Sequence, residues 1–300
     1  MKNQSLAIVS GRDVRSDLVR TWLLKRLLRK RPNKSSFRHF FVDPTDHIGE
    51  RVSARGFYDS YRLQALQSLI ERRRDVFRPN DKQSVCLDIG ANIGNHSVFL
   101  SSVFDRVISF EPIPFLAQVA RSNMMVNSIM NVDVRNYGLS SADGKATITV
   151  EPGNYGGSSL HNTDKHTAGL KLEIDIVRGD GVLLGEIPDS AAVTFIKIDV
   201  EGHEEHALAG IHDLIEKHRP VIWFEAHSRE AADRVISVIG KDTYRHLYFF
   251  GDPVELKGET AAGAIGRAWN GMRIDLAPVS QFPAGKYLNL IASPVDLLSA

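Results

Sequence analysis

The sequence has one cysteine, almost no net charge and no long hydrophobic run. A single thiol, Cys86, cannot form an internal disulfide, and its place in an apolar run indicates a buried, inert side chain in a cytoplasmic protein. The 37 basic and 36 acidic residues leave a net charge of +1, which excludes a general attraction to nucleic acid. No run approaches the roughly 20 apolar residues that span a bilayer, so we expect neither a transmembrane segment nor a signal peptide.

The length and composition predict one large domain behind an N-terminal extension. A chain of 300 residues, 43% of them hydrophobic, can bury a full core. We place the domain at residues 81–300 and the extension at residues 1–80. Within the extension, leucines and basic residues at 17–31 predict an amphipathic helix that ends before Pro32. Such a helix packs on the domain or on a second copy of the chain, or it contacts a membrane surface or another partner.

Strand and helix patterns alternate from residue 84 onward, which predicts a parallel sheet covered on both faces. The strands are expected at residues 84–89, 106–110, 132–139, 194–200 and 220–226. The helices are expected at about 95–104, 113–127, 204–218 and 229–240. Two weaker strand candidates, RHLYFF and YLNLIAS, follow, and the segment GKATITVEP adds a β segment before a glycine- and serine-rich loop at 153–164. A loop of that length is typically functional or disordered.

The turn after the first expected strand has the sequence GANIG, residues 90–94. Its two glycines, Gly90 and Gly94, allow unusual dihedral angles and close approach of the backbone to a ligand. The helix that follows directs free N–H groups at the same place, which suits a carboxylate or phosphate, and Asp88 lies at the edge of the turn. Glu111 follows about 20 residues later, the distance at which an acid reaches ribose hydroxyls. Together these features predict a ligand with an anionic group and a ribose.

The spacing of the glycines distinguishes between two cofactor classes. A dinucleotide requires the tighter G-x-G-x-x-G turn, but Asn92 stands where its second glycine would be. This difference favours S-adenosylmethionine, whose single carboxylate makes smaller demands on the turn. The alternative is a strand-to-helix turn that needs glycine for structural reasons alone.

Three segments, LDIGANIGNHS, ISFEP and FIKIDVEGHEEHALAG, resemble the signature blocks of the FkbM-type S-adenosylmethionine-dependent methyltransferases in order and spacing. The resemblance covers roughly residues 50–292 and departs at Asp59, where the family often has glutamate. It implies a doubly wound, Rossmann-like α/β sheet of seven strands with the last strand antiparallel. It also implies functional positions by the fourth strand at Asp199, Glu201 and Gly202. The expected cofactor-binding residues are Asp88, Gly90, Asn92, Gly94, Glu111 and Asp199.

Carboxylates and histidines follow the fourth and fifth expected strands. Asp199 and Glu201 lie at the carboxyl end of a central strand, where open α/β sheets bind ligands, and Lys197 is a candidate partner in a structural ion pair. Carboxylates there would offset the positive sulfonium of the cofactor. A hydroxyl acceptor must lose a proton, and histidine suits that task near neutral pH, which indicates His203 or His227 as the base. The expected catalytic residues are His203, Asp199, Glu201 and His227.

Two other kinds of site receive less support. The side chains of Asp199, Glu201, His203, Glu225 and His227 offer metal ligands, but their spacing fixes no coordination geometry, so we assign no metal. Amino methyltransferases of nucleic acids carry two prolines and an aromatic residue after the fourth strand. This chain lacks them, and it lacks a basic stripe with interleaved aromatics.

The sequence therefore favours a methyltransferase that transfers a methyl group from S-adenosylmethionine to a hydroxyl of a small molecule, sugar or glycan. Two alternatives remain. One is an oxidoreductase that uses a nucleotide cofactor on a similar sheet, and the other is a catalytically silent scaffold that retains the cofactor fold.

Overall fold

The computed structural model describes residues 38–151, 154–159, 169–251, 274–279 and 288–299. Its helices are α1 (His47–Arg55), α2 (Ser60–Arg72), α3 (Arg74–Phe77), α4 (Asn95–Leu100), α5 (Pro114–Val126), α6 (Asp180–Glu186), α7 (Glu204–Ala209), α8 (His212–His218) and α9 (Arg229–Ile239). Its strands are β1 (Gln83–Ile89), β2 (Arg106–Phe110), β3 (Val132–Arg135), β4 (Gly138–Leu139), β5 (Gly144–Glu151), β6 (Asn154–Ser159), β7 (Leu170–Val177), β8 (Ala191–Ile198), β9 (Val221–Ala226), β10 (His246–Gly251), β11 (Asp275–Pro278) and β12 (Leu288–Ser293).

Eight strands form the larger sheet in the order β3-β2-β1-β8-β9-β12-β10-β11. The first five of these pair in parallel, so their carboxyl ends lie at one edge of the sheet. Strand β12 is antiparallel to both β9 and β10. This confirms the expected doubly wound sheet with an antiparallel last strand. One strand more than the expected seven is present, because β11 pairs antiparallel with β10 at the edge.

Four further strands of the described residues form a second sheet in the order β4-β7-β5-β6. The prediction of a single strand at residues 132–139 is wrong, because this segment divides into β3 in the large sheet and β4 in the small sheet. Asn136 lies at the break, and its side-chain amide donates to the carbonyls of Glu111 and Pro112 at 3.0 and 2.9 Å. The segment GKATITVEP is confirmed as β5, whereas β6 occupies much of the expected loop and β7 was not anticipated.

The helices agree with the periodicity of the sequence, with shorter limits. Helix α4 ends at Leu100 instead of residue 104, and the helix expected at 204–218 divides into α7 and α8. The predicted basic helix at 17–31 lies outside the described residues, as does the last part of the expected loop, 160–164. Within the ranges that the structure describes, no helix is long and apolar enough to cross a membrane.

Residues 39–80 form three helices, of which α2 and α3 pack on the large sheet and α1 contacts β6 of the small sheet. Leucines of α2 and Phe77 of α3 share a buried cluster with Cys86 of β1, whose thiol is fully buried as expected. Burial of this apolar surface stabilises the helices on the sheet. The chain divides into compact units at Arg38, and residues 39–300 form the second unit. We therefore propose a domain boundary near residue 38 instead of residue 80.

Candidate functional site

A cleft opens at the carboxyl ends of β1, β2 and β8, where the strand order reverses direction. It contains about 950 Å³ of empty space, which includes space open to solvent. The small sheet supplies an apolar wall from Ile148, Ile174 and Ile176. The polar lining includes Tyr58, Asn92, Asn95, His96, Glu111, Lys197, Asp199, Glu201 and His203.

The two glycines of the turn between β1 and α4 have different neighbours. Both have positive φ angles, +81° at Gly90 and +79° at Gly94. A Cβ atom on Gly90 would lie 1.9 Å from the carbonyl oxygen of Asp199, whereas one on Gly94 would lie 2.7 Å from the terminal methyl of Met124. The close approach expected at Gly90 is therefore to the protein's own backbone at the end of β8, and Gly94 packs against α5 and does not line the cleft.

The N–H groups of the turn are already used within the protein. Gly90 and Ala91 donate to the carbonyl of Phe110, and Gly94 donates to the carbonyl of Ala91. Ile93 donates to the side chain of Asn92, 2.7 Å away. These N–H groups are therefore used within the protein, and the expected anion seat on the free N–H groups of the helix that follows stays a prediction.

Glu111 lies on the floor of the cleft, at the end of β2, and is only 4% exposed. Its two carboxylate oxygens accept hydrogen bonds from the backbone N–H groups of Asn92 and Ile113, each at 2.8 Å. Asn92 adopts a positive φ of +52°, a conformation that few residues other than glycine adopt. Burial raises the pKa of Glu111 to about 7, although both N–H bonds and Lys197 oppose the rise. The carboxylate is held in one orientation between two backbone segments.

Asp88 is fully buried beneath the turn and does not line the cleft. One of its carboxylate oxygens accepts a hydrogen bond from the hydroxyl of Ser97, and the other lies 3.8 Å from Nζ of Lys197. Lys197 also lies 3.5 Å from Asp199, which confirms the expected ion pair. Burial acts to lower the pKa of Lys197, but Asp199 and Asp88 outweigh it and raise the pKa, so the amine stays charged. Asp88 thereby supports the turn from below, and its contact with a cofactor stays a prediction.

A family model described as the methyltransferase FkbM domain matches residues 88–250, from the end of β1 to β10. The chain belongs to this family. Two curated methyltransferases are similar to it, and the chain spans slightly under two thirds of the length of each. Methyltransferase 1 of Beauveria bassiana is 28% identical, over 48% of this chain and 64% of that protein. The hexuronic acid methyltransferase AglP of Haloferax volcanii is 28% identical, over 55% of this chain and 66% of that protein.

Among solved structures, an FkbM methyltransferase from Methylobacillus flagellatus KT aligns with 74% of this chain and 54% of its own. The identity is 19% and the TM-score is 0.36.

On the other side of the cleft, three carboxylates of this chain lie together at the ends of β8 and β9. Oxygens of Asp199, Glu201 and Glu225 all lie within 4.8 Å of one another. Burial, followed by Asp199 and Glu204, raises the pKa of Glu201 to about 7. Burial also raises the pKa of Glu225, with Asp199 and Glu201 adding to the rise. Of the five possible metal ligands named from the sequence, these three are the group that the described residues bring together.

The two candidate histidines of this chain occupy different positions relative to the cleft. His203 lines the cleft just before α7, and its Nε2 lies 3.1 Å from the hydroxyl of Ser140. His227 follows β9, and its Nε2 lies 3.7 Å from a carboxylate oxygen of Glu201. It does not line the cleft. The geometry therefore places His203, and not His227, within reach of a ligand in the cleft.

A second cavity, with about 780 Å³ of empty space that includes space open to solvent, adjoins the cleft. The sequence does not predict this cavity. Asp59 lies in its wall with a φ of +56°, a strained conformation that clusters at functional sites. Tyr58 borders both spaces, and its pKa is raised to about 12, chiefly by burial. The two residues precede α2, and the departure from the family pattern at Asp59 was the available signal.

Proposed function

We propose that this chain transfers a methyl group from S-adenosylmethionine to a hydroxyl of a sugar, glycan or small molecule. The observation that carries the proposal is the oriented carboxylate of Glu111. An acid at the end of the second strand, fixed by two backbone N–H groups, is suited to accept hydrogen bonds from two neighbouring ribose hydroxyls.

Other parts of the cleft fit the rest of this cofactor. The apolar wall of Ile148, Ile174 and Ile176 suits a planar base. The carboxylates of Asp199 and Glu201 lie at the end of β8, where they would face a positive sulfonium. When bound, the cofactor supplies an electrophilic methyl group.

The residues of the chain must also accept the proton of the acceptor hydroxyl. We assign this role to His203, because it lines the cleft and the Ser140 hydroxyl orients its ring. Glu201, in contact with His227, is the second candidate route for the proton. Asp199 and Glu201 position the acceptor and offset positive charge in this proposal.

The acceptor class rests on the relatives and the lining of the site. One relative is a hexuronic acid methyltransferase, which supports a sugar-like acceptor. The cleft has carboxylates and histidine beside the expected methyl position, and these groups suit an acceptor with hydroxyls.

A calorimetric titration of the full chain with S-adenosylmethionine and with its demethylated product tests the proposal. We expect both to bind, and a methyl-transfer screen over sugars and glycosides then identifies the acceptor. The matched control is a titration with nicotinamide dinucleotides, because an oxidoreductase would bind these instead. Binding of a nicotinamide cofactor without S-adenosylmethionine would overturn the proposal.

A further inference from the structure

The second cavity continues the cleft along the carboxyl edge of the large sheet. Tyr58, Lys197 and Asp199 line both spaces, so a molecule that lies in the cleft can extend into the cavity. Along this edge Glu111 follows β2, Asp199 follows β8 and Glu225 lies near the end of β9. Because the cavity is lined by residues of β8, β9 and β12, it lies beyond Asp199 as seen from Glu111.

Charged groups of both signs in the cavity wall are accessible to solvent or a ligand. The side chain of Arg62 in α2 is 15% exposed and that of Asp59 is 18% exposed, with 2.9 Å between Nη1 and Oδ1. The side chain of Asp199 is 36% exposed. Lys197 is only 5% exposed and lies within 4 Å of both Asp199 and Asp88, so its charge is compensated within the protein. The cavity therefore offers a ligand both a guanidinium and carboxylates.

The guanidinium of Arg62 is held in one orientation. Its Nε donates to the carbonyl of Phe250 in β10 at 3.2 Å, and its Nη1 donates to Asp59 at 2.9 Å. The side chain of Asn95 accepts a hydrogen bond from the N–H of Tyr58 at 2.9 Å and donates to its carbonyl at 3.1 Å. Asn95 thus holds the segment in which Asp59 has its strained φ of +56°. A guanidinium fixed in this way suits a carboxylate, whose two oxygens match its planar set of donors.

The charges of the lining indicate a ligand that carries both signs. Burial, followed by the charge of Asp199, raises the pKa of Glu225 to about 8, so Glu225 holds a proton near neutral pH. Arg62 and Lys197 then supply two positive charges, and two negative charges come from Asp59 and Asp199. A charged ligand group in a partly buried site needs a partner of the opposite sign. A carboxylate would find that partner in Arg62, and an ammonium would find it in Asp199.

The order of groups in the proposed cofactor matches the order of groups in the site. In S-adenosylmethionine the base, the ribose, the sulfonium and the amino-acid end follow one another. With the base on the apolar wall, the ribose at Glu111 and the sulfonium near Asp199 and Glu201, the amino-acid end comes next. It would lie where the second cavity opens beyond Asp199.

We infer that the second cavity binds the zwitterionic amino-acid end of the cofactor, with the carboxylate at Arg62 and the ammonium at Asp199. The inference rests on the proposed function, since it assigns a further part of the site to the same cofactor. It places the anion at Arg62, and not at the start of α4, where the sequence predicted it.

Calorimetric titration of the full chain with three ligands tests this inference. The first is the demethylated product, S-adenosylhomocysteine. Methylthioadenosine keeps the base, ribose and sulfur but lacks the amino-acid end, and decarboxylated S-adenosylhomocysteine lacks only the carboxylate. We expect the parent to bind S-adenosylhomocysteine about 100-fold more tightly than methylthioadenosine, because two charged groups lose their partners.

Arg62→Met removes the charge and keeps much of the apolar side chain. It should weaken the binding of S-adenosylhomocysteine by about tenfold or more. It should not weaken the binding of either shorter ligand, because neither has a carboxylate, and their unchanged affinities also show that the variant is folded. Arg62→Lys, which restores a positive charge without the planar set of donors, should recover part of the loss.

Arg106→Met is the matched control. Arg106 also forms an ion pair, with Glu186, but it lies at the amino end of β2, at the opposite edge of the sheet from the cleft. This variant should bind all three ligands like the parent.

The inference fails if the parent binds methylthioadenosine as tightly as S-adenosylhomocysteine. It also fails if Arg62→Met weakens all three ligands alike or weakens none of them. In these cases the parent still binds S-adenosylhomocysteine, so the methyltransferase proposal stands while the assignment of the cavity falls. If the parent binds none of the three ligands, the methyltransferase proposal itself falls.

Discussion

The two sides of the cleft hold their carboxylates in opposite ways. On the β2 side, Glu111 is nearly fully buried, and backbone N–H groups bind both of its oxygens. On the β8 and β9 side, Asp199, Glu201 and Glu225 crowd together, and the side chain of Glu201 is 29% exposed. The first carboxylate is fixed before any ligand arrives. The others repel one another, and a proton or a positive ligand would relieve that repulsion.

This difference separates the two tasks that we propose for the site. A carboxylate that hydrogen bonds already hold in one orientation suits the binding of the cofactor's ribose, because the side chain loses little conformational entropy on binding. A crowded and partly exposed group of carboxylates suits a place where charge and protons move, because solvent and ligands can reach it. The predictions that follow test the two sides against each other.

The largest effect is expected from the turn that joins the two sides. Gly90→Ala should lower the free energy of unfolding by about 4 kcal/mol, since its Cβ would displace the Asp199 backbone in addition to straining φ. Gly94→Ala has a similar φ but meets the flexible tip of Met124, so it should lose only about 1–2 kcal/mol. Urea unfolding of both variants measures the difference. Equal losses would show that β8 does not depend on the turn.

The next effect concerns proton removal on the β8 and β9 side of the cleft. His203→Ala should slow methyl transfer by about 10² to 10⁴-fold and leave cofactor affinity nearly unchanged, as expected for loss of a general base. The rate is measured with an acceptor from the methyl-transfer screen. His212→Ala, on the surface of α8, serves as the control and should retain the parent rate. If His227→Ala gives the large loss instead, the base lies after β9 and the assignment to His203 is wrong.

The buried acid predicts a dependence of stability on pH. The pKa of Glu111 rises from 4.5 to about 7 on folding, so the folded state binds the proton more tightly than the unfolded state. Its contribution to stability is complete below pH 4.5 and is lost as the pH rises through 7, with a size of about 3 kcal/mol. Urea unfolding measures the free energy of unfolding at pH 5 and pH 8. Between these pH values that free energy should fall less for Glu111→Gln than for the parent. An identical loss in both proteins would contradict the raised pKa.

Urea unfolding at the same two pH values should show a smaller effect for a carboxylate on the β8 and β9 side. Glu201 also has a pKa raised to about 7, but its partial exposure lets solvent screen the charge. Glu201→Gln should therefore reduce the loss of stability between pH 5 and pH 8 by about 1 kcal/mol. A reduction as large as that of Glu111→Gln would remove the distinction between the two sides.

Much of the large sheet could be predicted from local patterns. Strand β2 begins and ends where the sequence indicates, and α5 differs from the expected helix by one residue at each end. Apolar runs and helical periodicity determine these elements within short segments. The small sheet was harder, because β6 is rich in glycine and serine and β7 follows a segment that the sequence does not delimit.

The candidate site was predictable in its residues and less so in its contacts. Glu111, Asp199, Glu201 and His203 all line the cleft, as their positions at strand ends indicated. The reason for Gly90, however, is the backbone of Asp199, more than 100 positions away in the chain. Contacts of this kind depend on strand order, which local patterns do not determine. The wall of the second cavity similarly joins α2, β9 and β12.

Calorimetric titration of the demethylated cofactor product into the parent and into Glu111→Ala tests the central claim most directly. We predict that at pH 8, above the raised pKa of Glu111, the substitution weakens binding by about 2–4 kcal/mol, because the ribose hydroxyls lose a charged acceptor in a buried site. Glu186→Ala is the control, since Glu186 is also a hydrogen-bonded carboxylate but lines neither cavity, and its affinity should equal that of the parent. Unchanged affinity in Glu111→Ala would contradict the account and place the cofactor elsewhere.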